Sequence, residues 1–151
     1  MKALLITILA LLWLPAYAGE IEFRTGVGLN RASTSALYSV GYVRRFDKHY
    51  MSRLDMGYWS DSKLGHKSST YASLSVGRMI GNRNGLYASI YMGVAFISHP
   101  DILLSTNFQF TEEVALGYRD AEIIFKHFSN AGIKKPNLGR DYPLVGYRWR
   151  F

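Results

Sequence analysis

Leu86-Tyr87-Ala88-Ser89-Ile90-Tyr91-Met92-Gly93-Val94-Ala95-Phe96-Ile97 alternates along its whole length. Leu86, Ala88, Ile90, Met92, Val94 and Phe96 take one parity, and Tyr87, Ser89, Tyr91 and Gly93 take the other. A period of two marks a strand with two unlike faces. The segment is also long enough to cross a bilayer, which takes a tilted strand of roughly 9–11 residues.

The same pattern runs through the rest of the chain. Ile21, Phe23, Val27 and Leu29 alternate with Glu20, Glu22, Arg24, Gly26, Gly28 and Asn30. Leu54, Met56 and Tyr58 oppose Arg53, Asp55, Gly57 and Trp59, while Ala72, Leu74, Val76 and Ile80 oppose Tyr71, Ser73, Ser75 and Gly77. Carried through, the alternation predicts eight strands near 20–30, 36–46, 51–60, 71–80, 86–97, 107–118, 121–129 and 141–151. Turn chemistry separates them at Asp47-Lys48, Gly81-Asn82-Arg83-Asn84-Gly85, His99-Pro100-Asp101 and Arg119-Asp120.

Two architectures fit eight such strands. A soluble sandwich or lipocalin-like barrel would turn the apolar face inward, whereas a membrane barrel turns it toward lipid. Three features favour the membrane form. The other face carries Glu, Arg, Asp, Ser and Gly in strand after strand, the mixture that fills the narrow interior of an eight-stranded barrel. Tyr42, Phe46, Tyr58, Tyr118 and Trp149 lie near strand ends, as interfacial girdles do. The chain closes on Tyr147-Arg148-Trp149-Arg150-Phe151, which resembles the C-terminal signal of bacterial outer-membrane barrels. The expected fold is therefore all-β: an eight-stranded antiparallel up-and-down transmembrane β-barrel. Its connections at 31–35, 61–70, 98–106 and 130–140 would face outside, and the shorter ones at 47–50, 81–85 and 119–120 the periplasm.

Met1–Ala18 reads as a secretory signal peptide: Lys2, an apolar centre, Pro15, then Ala16-Tyr17-Ala18 as a cleavage site. Its apolar centre falls short of the roughly 20 residues a spanning helix needs. The barrel then occupies 19–151 as a single domain. The chain of 151 residues has no cysteine, which excludes a disulfide framework, a thiolate zinc site and a cysteine nucleophile. It has no Gly-rich phosphate loop, H-E-x-x-H or EF-hand.

Strand seven breaks the pattern. In Ala121-Glu122-Ile123-Ile124-Phe125-Lys126-His127-Phe128-Ser129, His127 and Ser129 share the parity of Ile123 and Phe125. With Glu122 and Lys126 in the lumen, His127 and Ser129 face lipid, where polar groups need partners. Asp141 has the outward parity of strand eight, at the same end. A histidine between a serine and a carboxylate can act as general base, with the acid fixing its tautomer. Counting back from a two-residue Arg119-Asp120 turn also sets Glu112 opposite His127. Glu112 is then either a second carboxylate beside the imidazole or a residue turned inward by a bulge.

The block His127-Phe128-Ser129-Asn130-Ala131-Gly132-Ile133, followed by Lys134-Lys135-Pro136-Asn137, resembles the PagL-type lipid A deacylases, eight-stranded outer-membrane esterases of Gram-negative bacteria. The resemblance implies hydrolysis of the ester-linked 3-hydroxyacyl chain at position 3 of lipid A. His127 would be the base and Ser129 the nucleophile. Asp141 stands where the family usually has Glu, one methylene longer, so its reach to the imidazole is the point to test. The family further implies that Asn137, or amides around Asn130–Gly132, stabilise the oxyanion. Lipopolysaccharide among outer-membrane lipids is the implied partner, and no nucleic acid is; the resemblance implies no metal or other cofactor, and a homodimer is left open.

The formal charge of +7 suits an anionic lipid, with Arg31, Lys63, Lys67, Lys134, Lys135 and Arg140 in the outer connections. Arg44, Arg45, Lys48, Arg83 and Arg119 lie at the other end, so charge alone does not identify the substrate. Lys134, Lys135 and Arg140 border the site and are the candidates for phosphate or core-sugar contacts, against a simple solvated loop. His49, His66 and His99 show no partner pattern. A lipid acyltransferase, and a non-catalytic barrel in adhesion or surface protection, are the competing readings. Free fatty acid as product would separate the first, and long external loops would mark the second.

Overall fold

Alternation becomes architecture because a strand in lipid must pair every backbone N–H and C=O, and a sheet without edges does that only by closing. The computed structural model of the chain describes residues 19–29, 35–61, 67–101 and 103–151. Its strands are β1 (Gly19–Val27), β2 (Ser35–Arg45), β3 (Tyr50–Asp61), β4 (Ser69–Gly81), β5 (Leu86–Ile97), β6 (Phe108–Tyr118), β7 (Ala121–Ser129) and β8 (Arg140–Arg150). Each pairs antiparallel with the next, and β1 pairs with β8, giving a closed transmembrane barrel. The proposed leader and the loop residues Arg31, Lys63 and His66 lie outside the described residues.

The faces divide as the period requires. Phe23, Val40, Met56, Leu74, Val76, Ile90, Met92, Leu116 and Ile123 are exposed on the outer wall. Tyr42, Phe46, Tyr58, Tyr118 and Trp149 are exposed near the strand ends. Short turns join β2 to β3, β4 to β5 and β6 to β7 at one end, here the turn end. At Arg119 the tight β6–β7 turn takes a positive φ of 55°. In the β2–β3 turn, Asp47 accepts the amides of His49 at 2.6 Å and Tyr50 at 2.7 Å. Those bonds hold its carboxyl below the usual carboxylate range. Longer connections gather at the opposite, loop end.

Side chains fill the lumen. Toward the turn end, Glu20 meets Arg45, Arg83 and Arg148, and Arg148 also meets Glu22 and Glu122. Midway, Glu22 and Glu113 share Arg24 and Arg53, while Asp55 takes Lys126 and the Tyr71 hydroxyl. Above these, Trp59, Tyr71, Phe128 and Tyr142 pack together, with ring centroids 5.1 to 6.2 Å apart. Removing one partner of such a pair would strand a buried charge, at about 3–5 kcal/mol. Glu122, Lys126 and Phe128 all take part from β7 and are buried. The alternate residues, Ile123, Phe125, His127 and Ser129, therefore face the other way.

Candidate active site on the outer wall

β7 pairs with β6 on one side and β8 on the other, setting Glu112, His127 and Asp141 in one row of direct Cα partners. His127 Nδ1 lies 2.6 Å from Asp141 Oδ1, so the shorter acid does reach the ring. A carboxylate accepts only, so the bond places the imidazole proton on Nδ1 and leaves the Nε2 lone pair available. The two side chains are partly exposed, at 30% and 37%. Ser129 ends β7 on the same face, about 7 Å further along the strand.

Glu112 is exposed on β6 between Phe110 and Val114, while its neighbour Glu113 is buried in the lumen network. No bulge turns Glu112 inward, and the predicted register holds. The imidazole bonds to Asp141, however, and no hydrogen bond or ion pair joins Glu112 to another described residue. Asp141 is thus the carboxylate bonded to the ring.

Gly139 was not singled out from the sequence. It has φ +72°, and a Cβ added there would lie 2.6 Å from His127 Cε1 and 3.3 Å from Nε2. The glycine directly before β8 therefore makes room for the imidazole as well as the turn. A glycine at the edge of a predicted strand was the available signal, but it does not name the neighbour.

The segment after β7 is held from within. The Asn130 amide donates to Asn137 Oδ1 at 3.0 Å, and the Gly132 amide donates to Asn130 Oδ1 at 2.9 Å. Buried Asn130 also donates through Nδ2 to the carbonyls of Leu104 at 3.0 Å and Lys134 at 2.8 Å. The Asn130 and Gly132 amides thus bond to side-chain oxygens within the loop. Asn137 differs: its oxygen is occupied, which directs its Nδ2 donor elsewhere. The neighbouring connection helps fix this loop, since the Leu138 amide donates to Leu103 O at 3.0 Å.

Lys134 and Lys135 are exposed beside the site. Arg140 is not. It shares parity with Tyr142 and Leu144, and its buried guanidinium holds Asp61 at 3.0 Å and also Asp101. It closes the loop end of the lumen and is not placed to meet a headgroup. On the far side of β8, an open groove of about 730 Å³ runs along the outer wall, lined by Phe23, Tyr38, Val40, Met56, Val145 and Tyr147 among others.

Fold and site define a small transmembrane barrel with a filled lumen and a histidine–aspartate pair on the same parity as its exposed apolar residues. The chain belongs to the PagL family: the family model described as Lipid A 3-O-deacylase (PagL) matches residues 38–150. The lipid A deacylase PagL of Bordetella bronchiseptica is 32% identical over 72 residues, covering 44% of this chain and 39% of that protein. The aligned part thus spans well under half the length of that relative. A crystal structure of the outer-membrane enzyme PagL superposes with TM-score 0.61 and 20% identity, covering 84% of this chain and 97% of that one. The Yersinia pestis outer-membrane protein Ail has TM-score 0.52 and 12% identity, covering 87% of this chain and 99% of its own. At these identities the two structures bear on fold alone.

Proposed function

We propose that the protein is an outer-membrane lipid A deacylase, hydrolysing the ester that links a 3-hydroxyacyl chain to position 3 of lipid A. Family membership supports the reaction, and the 2.6 Å bond between His127 and Asp141 is the observation that carries the site assignment. Residues 1–18 would direct export, and the loop end would face outward, with Lys134 and Lys135 near lipid A phosphates.

The reaction then runs as acyl transfer to serine and on to water. His127 Nε2 takes the Ser129 proton as Oγ attacks the ester carbonyl, and Asp141 stabilises the imidazolium that forms. Asn137 Nδ2 donates to the developing oxyanion. Collapse expels the sugar oxygen, which receives the proton from His127. Water, deprotonated by His127, attacks the acyl-enzyme, releasing the 3-hydroxy fatty acid and restoring Ser129. The ester lies at the boundary between headgroup and acyl chains, so a site on the outer wall meets it without extracting the lipid. The groove beyond β8 offers an apolar seat for an acyl chain.

Mass spectrometry of lipid A from cells making the full chain tests this. Wild type should remove one 3-hydroxyacyl group and release the free acid. Ser129→Ala, still folded by heat-modified electrophoretic mobility, should lose the activity by several powers of ten. A folded Ser129→Ala variant with wild-type turnover would refute the assignment, and transfer of the acyl group to another lipid would make the protein an acyltransferase.

A further inference from the structure

Glu112 is the unexplained charge. Its neighbour Glu113 joins Arg24 and Arg53 inside the barrel, while Glu112 faces outward among Phe110, Val114 and its β5 partner Met92. No described residue pairs with it. An ionisable group on a lipid-facing wall is costly, and such residues mark sites that handle a polar ligand. This one stands directly opposite His127.

We propose that Glu112 is a specificity residue that accepts a hydrogen bond from the hydroxyl on the third carbon of the acyl chain being cleaved. The inference rests on the deacylase reading and deepens it. Phe110 pairs with Ser129 and Glu112 with His127, so Ser129 and Glu112 are diagonal neighbours, with Cα atoms about 7–8 Å apart. An ester carbonyl at Ser129 Oγ carries its 3-hydroxyl three bonds along the chain. A glutamate reaching from the next strand covers the remainder of the diagonal. Within the acyl chain being cleaved, the 3-hydroxyl is the one donor. A carboxylate repels phosphate, and below the ester an unmodified acyl chain offers no donor. The imidazole needs no second acid, because Nδ1 already bonds to Asp141.

The test uses the full chain in detergent micelles with two soluble probes, p-nitrophenyl 3-hydroxydecanoate and p-nitrophenyl decanoate. Neither carries a sugar or an amide, so the 3-hydroxyl is the only difference. The readout is the ratio of kcat/KM for the two esters. Wild type should favour the hydroxy ester about tenfold to a hundredfold, the range for a hydrogen bond to a charged group. Glu112→Leu should bring the ratio close to one, and Glu112→Gln, which keeps a neutral acceptor, should fall between. Parallel loss on both esters would assign Glu112 to positioning His127 and overturn the proposal, as would an unchanged ratio. Hydrolysis that persists in Ser129→Ala would instead refute the deacylase site itself.

Discussion

Adding one methyl group at Gly139 tests whether ring placement, and not just the presence of the three side chains, sets the rate. In Gly139→Ala the new Cβ would sit 2.6 Å from His127 Cε1, 3.2 Å from Phe128 O and 3.3 Å from His127 Nε2. Carbon atoms pack comfortably at about 3.5–4.0 Å, so the ring has to move by about 1 Å. Its Nδ1 is tied to Asp141, so the movement swings Nε2 away from where Ser129 needs it. A displacement of that size costs about a hundredfold in turnover. The residue also has φ +72°, where alanine is disfavoured by about 1–2 kcal/mol. Gly132→Ala separates the two effects, because Gly132 has φ +80° but nothing within 4 Å of an added Cβ. Both variants should unfold at lower urea concentration in lipid vesicles, by similar amounts. Only Gly139→Ala should lose about two orders of magnitude in ester hydrolysis. A folded Gly139→Ala with wild-type turnover, or an equal loss in Gly132→Ala, would show that the glycine does not govern the imidazole.

Asp141→Asn keeps the shape of the acid but removes its charge and lets the imidazole settle in the wrong tautomer. Turnover should fall by about 10³- to 10⁴-fold, the scale of the same change in serine hydrolases; more than a tenth of wild-type activity in the pre-steady state would argue against the Nδ1 assignment. In the lumen, Lys126→Met leaves Asp55 with the Tyr71 hydroxyl but without its cation. Stability should drop by about 3–5 kcal/mol, and adding Asp55→Asn should recover most of it. Urea titration of the two variants in vesicles checks this, and equal stability would mean that the pair does not hold β7.

Most of the fold was legible because lipid leaves so few alternatives. The strands predicted at 86–97 and 121–129 coincide with β5 and β7, and the others differ by a few residues at their ends. A two-residue turn at Arg119-Asp120 was enough to place Glu112 opposite His127, since antiparallel register propagates from the turn without a free parameter. What period two does not encode is where a side chain goes once it leaves the backbone. The 2.6 Å approach of Asp141 to His127 depends on side-chain rotamers. Arg140 falls in the predicted 130–140 connection, yet its parity with Tyr142 sends it into the lumen to Asp61 and Asp101. Asn130 and Gly132 are engaged within a loop that leans on Leu103 and Leu104 from another connection, a contact no local pattern announces.

The lumen and the outer wall are two consequences of one register. Lys126 bonds to Asp55 inside the barrel, and Phe128 packs against Trp59, Tyr71 and Tyr142. His127 lies between them and Ser129 follows, so the residues that fill the interior also force these two outward. A slip of one position would place the histidine among buried charges and Lys126 in lipid, with costs on both faces. The internal network is therefore more than ballast for a closed lumen. It is the physical reason that a histidine and a serine share the outward parity of the exposed apolar residues. The same constraint places Glu112 outward and Glu113 inward on adjacent positions of β6, giving two carboxylates in one strand opposite fates.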